Sequence, residues 1–167
     1  MQTIPLTRGL VALIDDADFE LLQRWKWLAA PGSSGNFYAR RLVGDRAMGA
    51  HWVHMHRLLL NAPPGLQVDH IDGNGLNNQR TNLRLCTTGE NRRNQLRRRR
   101  GTHSSRFKGV TWDSPRQQWV AQIHLNGRHI FLGRFATEDE AAAAYARGSR
   151  RFHGAFAAPV TTQDRLT

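Results

Sequence analysis

Four polar residues in the middle of the chain, Asp69, His70, Asn82 and Asn91, combine complementary chemistry at short spacing. A carboxylate and a side-chain amide oxygen are hard ligands of the kind that hold Mg²⁺ or Mn²⁺, with water and a substrate phosphate completing the shell. A histidine of near-neutral pKa takes a proton from water at physiological pH, provided a second group holds its ring in orientation. His70 is therefore the candidate general base. Asp69 and Asn91 are the candidate metal ligands, because a helix-borne Asn91 brought onto the end of the strand holding Asp69 would fix an ion between two rigid elements.

The surrounding residues 66–95 read LQVDHIDGNGLNNQRTNLRLCTTGENRRNQ. Leu66 to Ile71 reads as a short strand, and Asp72 to Asn78 is so rich in turn formers that a tight loop is predicted. Leu83 to Thr87 alternates as a second strand, and Thr87-x-x-Glu90 is a capping box opening a helix through about Arg98. The unit is strand, loop, strand, helix. Adjacent strand residues point to opposite faces, so Asp69 and His70 serve one site only if the strand ends there. A calcium loop fails on spacing: the alternating ligands ahead of the required Gly and the closing Glu are missing.

The chain has 167 residues, 24 Lys plus Arg against 13 Asp plus Glu, and a formal charge of +11. Such an excess calls for an anionic partner. Residues 66–101 hold 8 basic and 3 acidic side chains and are the most electropositive stretch. Arg97, Arg98, Arg99 and Arg100 lead into Gly101 to Ser105, which reads as a linker. A lone charge run is commonly a solvated segment, but within so basic a stretch phosphate binding is the better reading. The single cysteine, Cys86, excludes an intrachain disulfide and paired-Cys zinc sites. No apolar run is long enough for a membrane span, and no signal region follows Met1, so a cytoplasmic protein is expected.

Residues 1–55 read as mixed α and β. Ile4 to Leu6 and Leu10 to Ile14 flank Arg8-Gly9 as a hairpin, and Asp15 or Asp16 is placed to cap a helix through about Arg24. Strands are expected at Trp25–Ala29, Asn36–Leu42 and Met48–His54. On such a strand His54 and His56 share a face and His51 lies opposite; without a nearby carboxylate, packing or hydrogen bonding is the favoured reading of all three.

Asp69-His70, Asn82 and Asn91, with His56-Arg57-Leu58 upstream, resemble the HNH endonuclease family, in particular its phage homing members. The resemblance implies a ββα-metal core in which His70 activates water, Asp69 and Asn91 hold a divalent metal, and Asn82 braces the loop opposite His70. The last consensus position is Asn91 rather than His, which the homing members share and which bears on metal preference. The resemblance to phage members extends more weakly through residues 1–65.

From Ser105 onward three strands and a helix are visible: Phe107–Trp112, Gln118–Leu125 and Arg128–Phe135, with turns at Asp113-Ser114-Pro115 and Asn126-Gly127, then the capping box Thr137-x-x-Glu140 and the alanine-rich Ala141 to Ala146. Alternation puts Ala121, Ile123, Ile130 and Leu132 towards the helix and leaves Lys108, Gln122, His124, His129 and Phe131 on the open face. Trp112 and Trp119 suit base contact or core packing. Arg147, Arg150 and Arg151 suit phosphate contact or a solvated helix end. Phe107-Lys108-Gly109-Val110, Trp119 to Ile123, Leu132 to Phe135, Glu140-Ala141-Ala142 with Tyr145, and His153-Gly154 resemble the APETALA/ethylene-response-factor DNA-binding domain. That family sets its sheet in the DNA major groove. Thr111 and Asp113 stand where plant members carry arginines, so a plant target sequence does not transfer.

The expected fold is thus α+β: an N-terminal α+β region (1–55), a ββα-metal nuclease motif (56–98), a basic linker (99–104), a three-stranded antiparallel sheet packed on one helix (105–158) and a tail (159–167). The expected function is metal-dependent hydrolysis of DNA by a phage-type homing or free-standing endonuclease, with Mg²⁺ as cofactor and Mn²⁺ the alternative. Arg92, Arg93 and Arg97 to Arg100 would hold the backbone of double-stranded DNA, and the C-terminal sheet would choose the site. A monomer with one such site would nick one strand, in the cytoplasm of a bacterial host if phage-encoded. The rival expectations are a non-catalytic DNA-binding regulator, and an RNA-binding protein, which leaves the Asp, His and Asn set unexplained.

Overall fold

Strand β1 (Gln2–Pro5) turns through Arg8 and Gly9, at φ 66° and 68°, into β2 (Val11–Ile14). The two pair antiparallel with Gln2 opposite Ile14, forming the expected hairpin. The structure is a computed structural model that describes residues 1–32, 35–45, 49–94 and 104–157. It divides into two compact units, Met1–Arg92 and Arg93–Thr167. The run Arg97 to Arg100 and the tail 159–167 lie outside the described residues.

The helix expected up to Arg24 is much shorter. A 3-10 turn at Asp16–Asp18 leads into a single turn, α1 (Phe19–Leu22). Neither aspartate caps it. Asp15 accepts instead from the Arg80 backbone N–H at 2.8 Å, and Asp16 from the N-terminal amine at 2.7 Å. The Leu22 carbonyl is taken by the indole N–H of Trp27 at 2.9 Å, which turns the chain away from the helix. Strands β3 (Leu28–Pro31), β4 (Phe37–Val43) and β5 (His51–His54) then form an antiparallel sheet with β4 in the middle. The third expected strand ends at His54 as read, but α2 (Met55–Leu59) begins directly after it, so the expectation that His54 and His56 share a strand face is corrected: His56 is helical. The i, i+4 pair Met55 and Leu59, 0% and 4% exposed, anchors this short helix in the core.

Strand β6 (Gln67–His70) pairs antiparallel with β7 (Leu83–Cys86), placing Asp69 opposite Arg84 and His70 opposite Leu83. Helix α3 (Thr88–Asn94) follows. Its capping box forms, with the Glu90 carboxylate accepting from the Thr87 backbone at 2.8 Å and the Thr87 hydroxyl accepting from the Glu90 N–H at 3.3 Å. One apolar cluster spans this unit: Ile4, Ile14, Leu22, Trp27 and Ala39 from the N-terminal part meet Met55, Leu59, Val68 and Leu83. The strands that carry Asp69 and His70 are therefore held by the same burial that folds residues 1–55.

In the second unit β8 (Val110–Asp113), β9 (Gln118–Leu125) and β10 (Arg128–Phe135) form an antiparallel meander, and α4 (Glu138–His153) lies on one face. Asn126 and Gly127, at φ 49° and 80°, make the tight β9–β10 turn. Val110, Ala121, Ala141 and Ala144 form the core, and Gly148 lets the helix approach so closely that a Cβ there would meet Leu132 at 2.8 Å. The whole is α+β with small antiparallel sheets. Among the described residues no helix is long and apolar enough to cross a membrane.

Candidate functional site

Strand β6 ends at His70, so the chain leaves the ladder where two adjacent side chains must diverge. Asp69 is buried, and its Oδ2 accepts from Arg84 Nε at 2.8 Å and Nη2 at 2.6 Å across the strand pair. Gln67 lies two residues earlier on the same face. Its side-chain oxygen accepts from Asn91 Nδ2 at 2.6 Å, which draws α3 to the Asp69 face. A carboxylate and an amide, the hard-oxygen donors that suit a divalent ion with water and phosphate, thus come to one face of the hairpin. Among the described residues no three His, Cys, Asp or Glu side chains are grouped as a metal-binding cluster.

His70 enters a different neighbourhood. Its ring lies 5.1 Å from that of His56, edge to face, and 5.7 Å from that of Tyr38. Tyr38 is also 5.8 Å from His56, and His54 stacks on His56 at 5.2 Å. Glycines make room for this tyrosine: a Cβ on Gly75, in the loop after β6, would collide with its ring. Burial lowers the His70 pKa below 6.5, opposed by hydrogen bonding to Asn78 and by the carboxylates of Asp72 and Asp69. His56 is pushed down to about 3, by burial first and then by His70, His54 and Arg57. His54 is lowered by burial, then by Arg40 and Arg57. All three imidazoles are thus neutral at pH 7, and a neutral ring is the form that accepts a proton.

The loop between β6 and β7 is tied down by Asn82. Its Oδ1 accepts from the Asp72 N–H at 3.0 Å, while its Nδ2 donates to Asp72 Oδ1 at 3.0 Å and to the Asn77 carbonyl at 2.9 Å. The Ile71 N–H bonds to the Asn82 carbonyl at 2.9 Å, so the residue grips the chain immediately after His70. The same loop docks on the N-terminal hairpin, with Leu13 N–H to Leu76 O at 2.9 Å and Asn78 N–H to Leu13 O at 2.8 Å. Arg80 completes the attachment through a fork on the buried Asp18 at 2.7–3.2 Å.

Of the expected DNA contacts in the second unit, His124, His129 and Phe131 stand exposed on the face away from α4, and Gln122 is half-buried between them. His124 and His129 are register partners with rings 5.0 Å apart. Lys108 is a correction: it lies in the turn before β8, not on the sheet, and burial lowers its ammonium pKa to about 8. Arg134, which sequence reading passed over, shares the open face with Phe131, its guanidinium 5.1 Å from that ring and 3.4 Å from Asp113. Trp112 and Trp119 pair across β8 and β9 at 5.0 Å on the helix side, and Trp119 packs on the core. On α3 Arg92 is exposed and Arg93 half-buried.

Comparison with known proteins now bears on this geometry. An HNH endonuclease family model matches residues 61–93, the segment from the end of α2 to α3. An uncharacterized HNH endonuclease of Acanthamoeba polyphaga mimivirus is 30% identical over 156 residues, covering 91% of this chain and 75% of the relative. The chain belongs to the HNH endonuclease family. Protein 3.8 of Escherichia phage T7 is 38% identical over 96 residues, 57% of this chain and 76% of that protein. An AP2/ERF and B3 domain-containing transcription repressor of Arabidopsis thaliana is 43% identical over 51 residues, which is 30% of this chain and 14% of the repressor. No solved structure matches.

In this HNH endonuclease, sequence reading missed Tyr38, Asn78 and Arg84 around the candidate site, and it assigned His54 and His56 to packing or hydrogen bonding although His56-Arg57-Leu58 carried part of the resemblance. Arg84 had a legible signal, since pairing the two strands with His70 near the loop sets it opposite Asp69. His56 had one too: Met55 and Leu59 carry helical spacing that breaks the apparent strand. Tyr38 had none, because its approach to His70 depends on tertiary packing between β4 and the loop.

Proposed function

We propose that this endonuclease hydrolyses DNA phosphodiester bonds with a divalent metal, acting as a homing or free-standing enzyme of the phage type that nicks one strand. The observation that carries the reading is a buried imidazole at the end of a strand whose other face gathers a carboxylate and a helix-borne amide. His70 would accept the proton of the attacking water. Its protonated form is offset by the nearby carboxylates of Asp72 and Asp69. Asn82 would keep the loop, and with it the end of β6, from moving as the substrate enters. Arg84 orients Asp69, which with Asn91 would hold the ion. When bound, Mg²⁺, or Mn²⁺ as the alternative, supplies charge neutralisation at the leaving oxygen.

Residues 56–98 would carry this chemistry as a ββα-metal motif, with residues 1–55 as its support. Residues 105–158 would form an APETALA/ERF-like DNA-binding domain after a basic linker at 99–104. Support for that assignment comes from the three-stranded sheet on α4 and the 51-residue similarity to the plant repressor. Gln122, His124, His129 and Phe131 would read double-stranded DNA in the major groove. Lys108, Arg92, Arg93 and Arg97 to Arg100 would contact phosphates. A monomer would cut one strand, and a double-strand break would need a second copy. The test is supercoiled plasmid incubated with the protein and Mg²⁺ or Mn²⁺, with EDTA and His70→Ala controls. Metal-dependent conversion to nicked circles, lost in the variant, is expected; binding without cutting, on a randomised-site library as well, would favour a non-catalytic regulator.

A further inference from the structure

The sheet of the first unit has a face that the proposed chemistry leaves unused. Tyr38, Arg40 and Leu42 alternate to one side of β4, and Trp52 and His54 to the same side of β5, with Arg40 opposite His54 and Leu42 opposite Trp52. The other side carries Ala29 and Ala39 into the core. Leu42 and Trp52, register partners on the two strands, are 50% and 44% exposed. The Arg40 guanidinium lies 3.9 Å from the Trp52 ring centroid, its Nε is buried with no hydrogen-bond partner, and it forms no ion pair among the described residues. His54, the register partner of Arg40, stacks on His56, which meets His70. The face is a strip of flat side chains with one uncompensated cation, running into the candidate catalytic histidine.

We propose that this strip is a DNA contact surface that guides the strand flanking the scissile bond, with Arg40 on a phosphate and Trp52 stacked on a base or sugar. Charge and shape argue for this occupant. A protein partner for an isolated guanidinium would need to bring a buried carboxylate, whereas a DNA strand presents phosphates and π-faces together, the combination that basic and aromatic grooves use. Proximity to His70 sets the position, since His54, beside Arg40 at the end of β5, stacks on His56, which packs on the His70 imidazole. The inference rests on the nuclease reading for the location of the cut, but not for the contact itself.

Two variants of the full-length chain test it. Trp52→Thr keeps a β-branched residue on the strand, and Arg40→Gln keeps a polar one; melting curves confirm that both fold. Binding is measured on a fluorescein-labelled mixed-sequence duplex with a single-stranded gap, across a salt series and by tryptophan fluorescence, alongside plasmid cleavage. Arg40→Gln is expected to reduce the salt slope by about one phosphate and to raise KM with kcat changed less than twofold. Trp52→Thr is expected to weaken binding to the gapped duplex by about tenfold, as for loss of one stack, and to remove most DNA-induced quenching. Folded variants that bind, quench and cleave like the parent would overturn the proposal while leaving the nuclease reading intact. A parent that never cleaves, yet loses quenching and slope in these variants, would uphold the surface and sink the nuclease reading.

Discussion

The β6–β7 hairpin and the β8–β10 sheet both carry polar residues that the proposed function sets against DNA, but they hold them in opposite ways. Asp69, His70, Asn78 and Asn82 are 5%, 5%, 0% and 9% exposed, whereas Phe131 is 56% exposed and His124 and His129 stand open to solvent. Burying a polar group is costly unless it finds partners; Asp69 finds Arg84, and Asn82 finds Asp72 and Asn77, while the side-chain nitrogen and oxygen of Asn78 are buried with no well-aligned hydrogen-bond partner. That arrangement suits bond chemistry, which needs groups held within fractions of an ångström. The open sheet spends no burial on its polar groups, and its side chains remain free to adapt to a groove.

The contrast is broken most directly at His70. Replacing it by Ala is expected to lower cleavage by about 10²–10⁴-fold, the range of general-base catalysis, while affinity for DNA is retained. Measuring both on one plasmid substrate checks this, and a variant that cuts at the parental rate would remove His70 from the reaction. Asn82→Ala comes next. It removes the side-chain bonds to the Asp72 amide and the Asn77 carbonyl, at a cost of about 0.5–1.5 kcal/mol for each, since Asp72 is exposed and Asn77 half-buried. Urea unfolding should show that loss, and cleavage should fall with it. A loop that keeps its stability without Asn82 would mean that docking on β2 alone positions it.

How far this was legible differs between the two units for a physical reason. In the second, local signals sufficed: the Asn126-Gly127 turn, the alternation along β9 and β10 and the capping box at Thr137 all formed where the residues predicted them. Lys108 departs because the strand starts only at Val110, leaving it in a turn. In the first unit, local signals located the strand, loop, strand and helix, whereas the end of β6 at His70 was a condition the site required and not a local reading. What surrounds His70 was not local. Tyr38 arrives from another sheet, and His56 was masked by the strand-like alternation of HWVHMH, which packing of Met55 and Leu59 overrides. Asp15 lost its capping role to a tertiary bond with Arg80, 65 residues away.

The buried histidines sharpen the comparison through pH. His56 titrates near 3 in the folded chain and near 6.5 when unfolded, so below pH 6.5 the unfolded state binds the extra proton. Stability therefore falls as pH drops from about 6.5 towards 3, by up to ~1.4 kcal/mol per pH unit for each such group. His56→Leu should flatten that slope in chemical unfolding of the full chain between pH 5 and 7. An unchanged slope would place the proton uptake on His54 or His70 instead, both also lowered by burial.

The smallest effect on stability is expected at Phe131. It protrudes beside Arg134 and opposite Gln122, just before the bulge that shifts register at Gly133. Little packing is lost on changing it to Ser, so the unfolding midpoint should move by no more than about 0.5 kcal/mol, the usual range for surface sites. If the open sheet reads DNA, the same change should alter which sites are recovered from a randomised library, with the total affinity set largely by phosphate contacts and little changed. Gln122→Ala should shift preference at the same or a neighbouring base, because the two side chains are cross-strand partners. Variants that select the parental site would show that this face does not choose the sequence, and that its exposure serves something other than recognition.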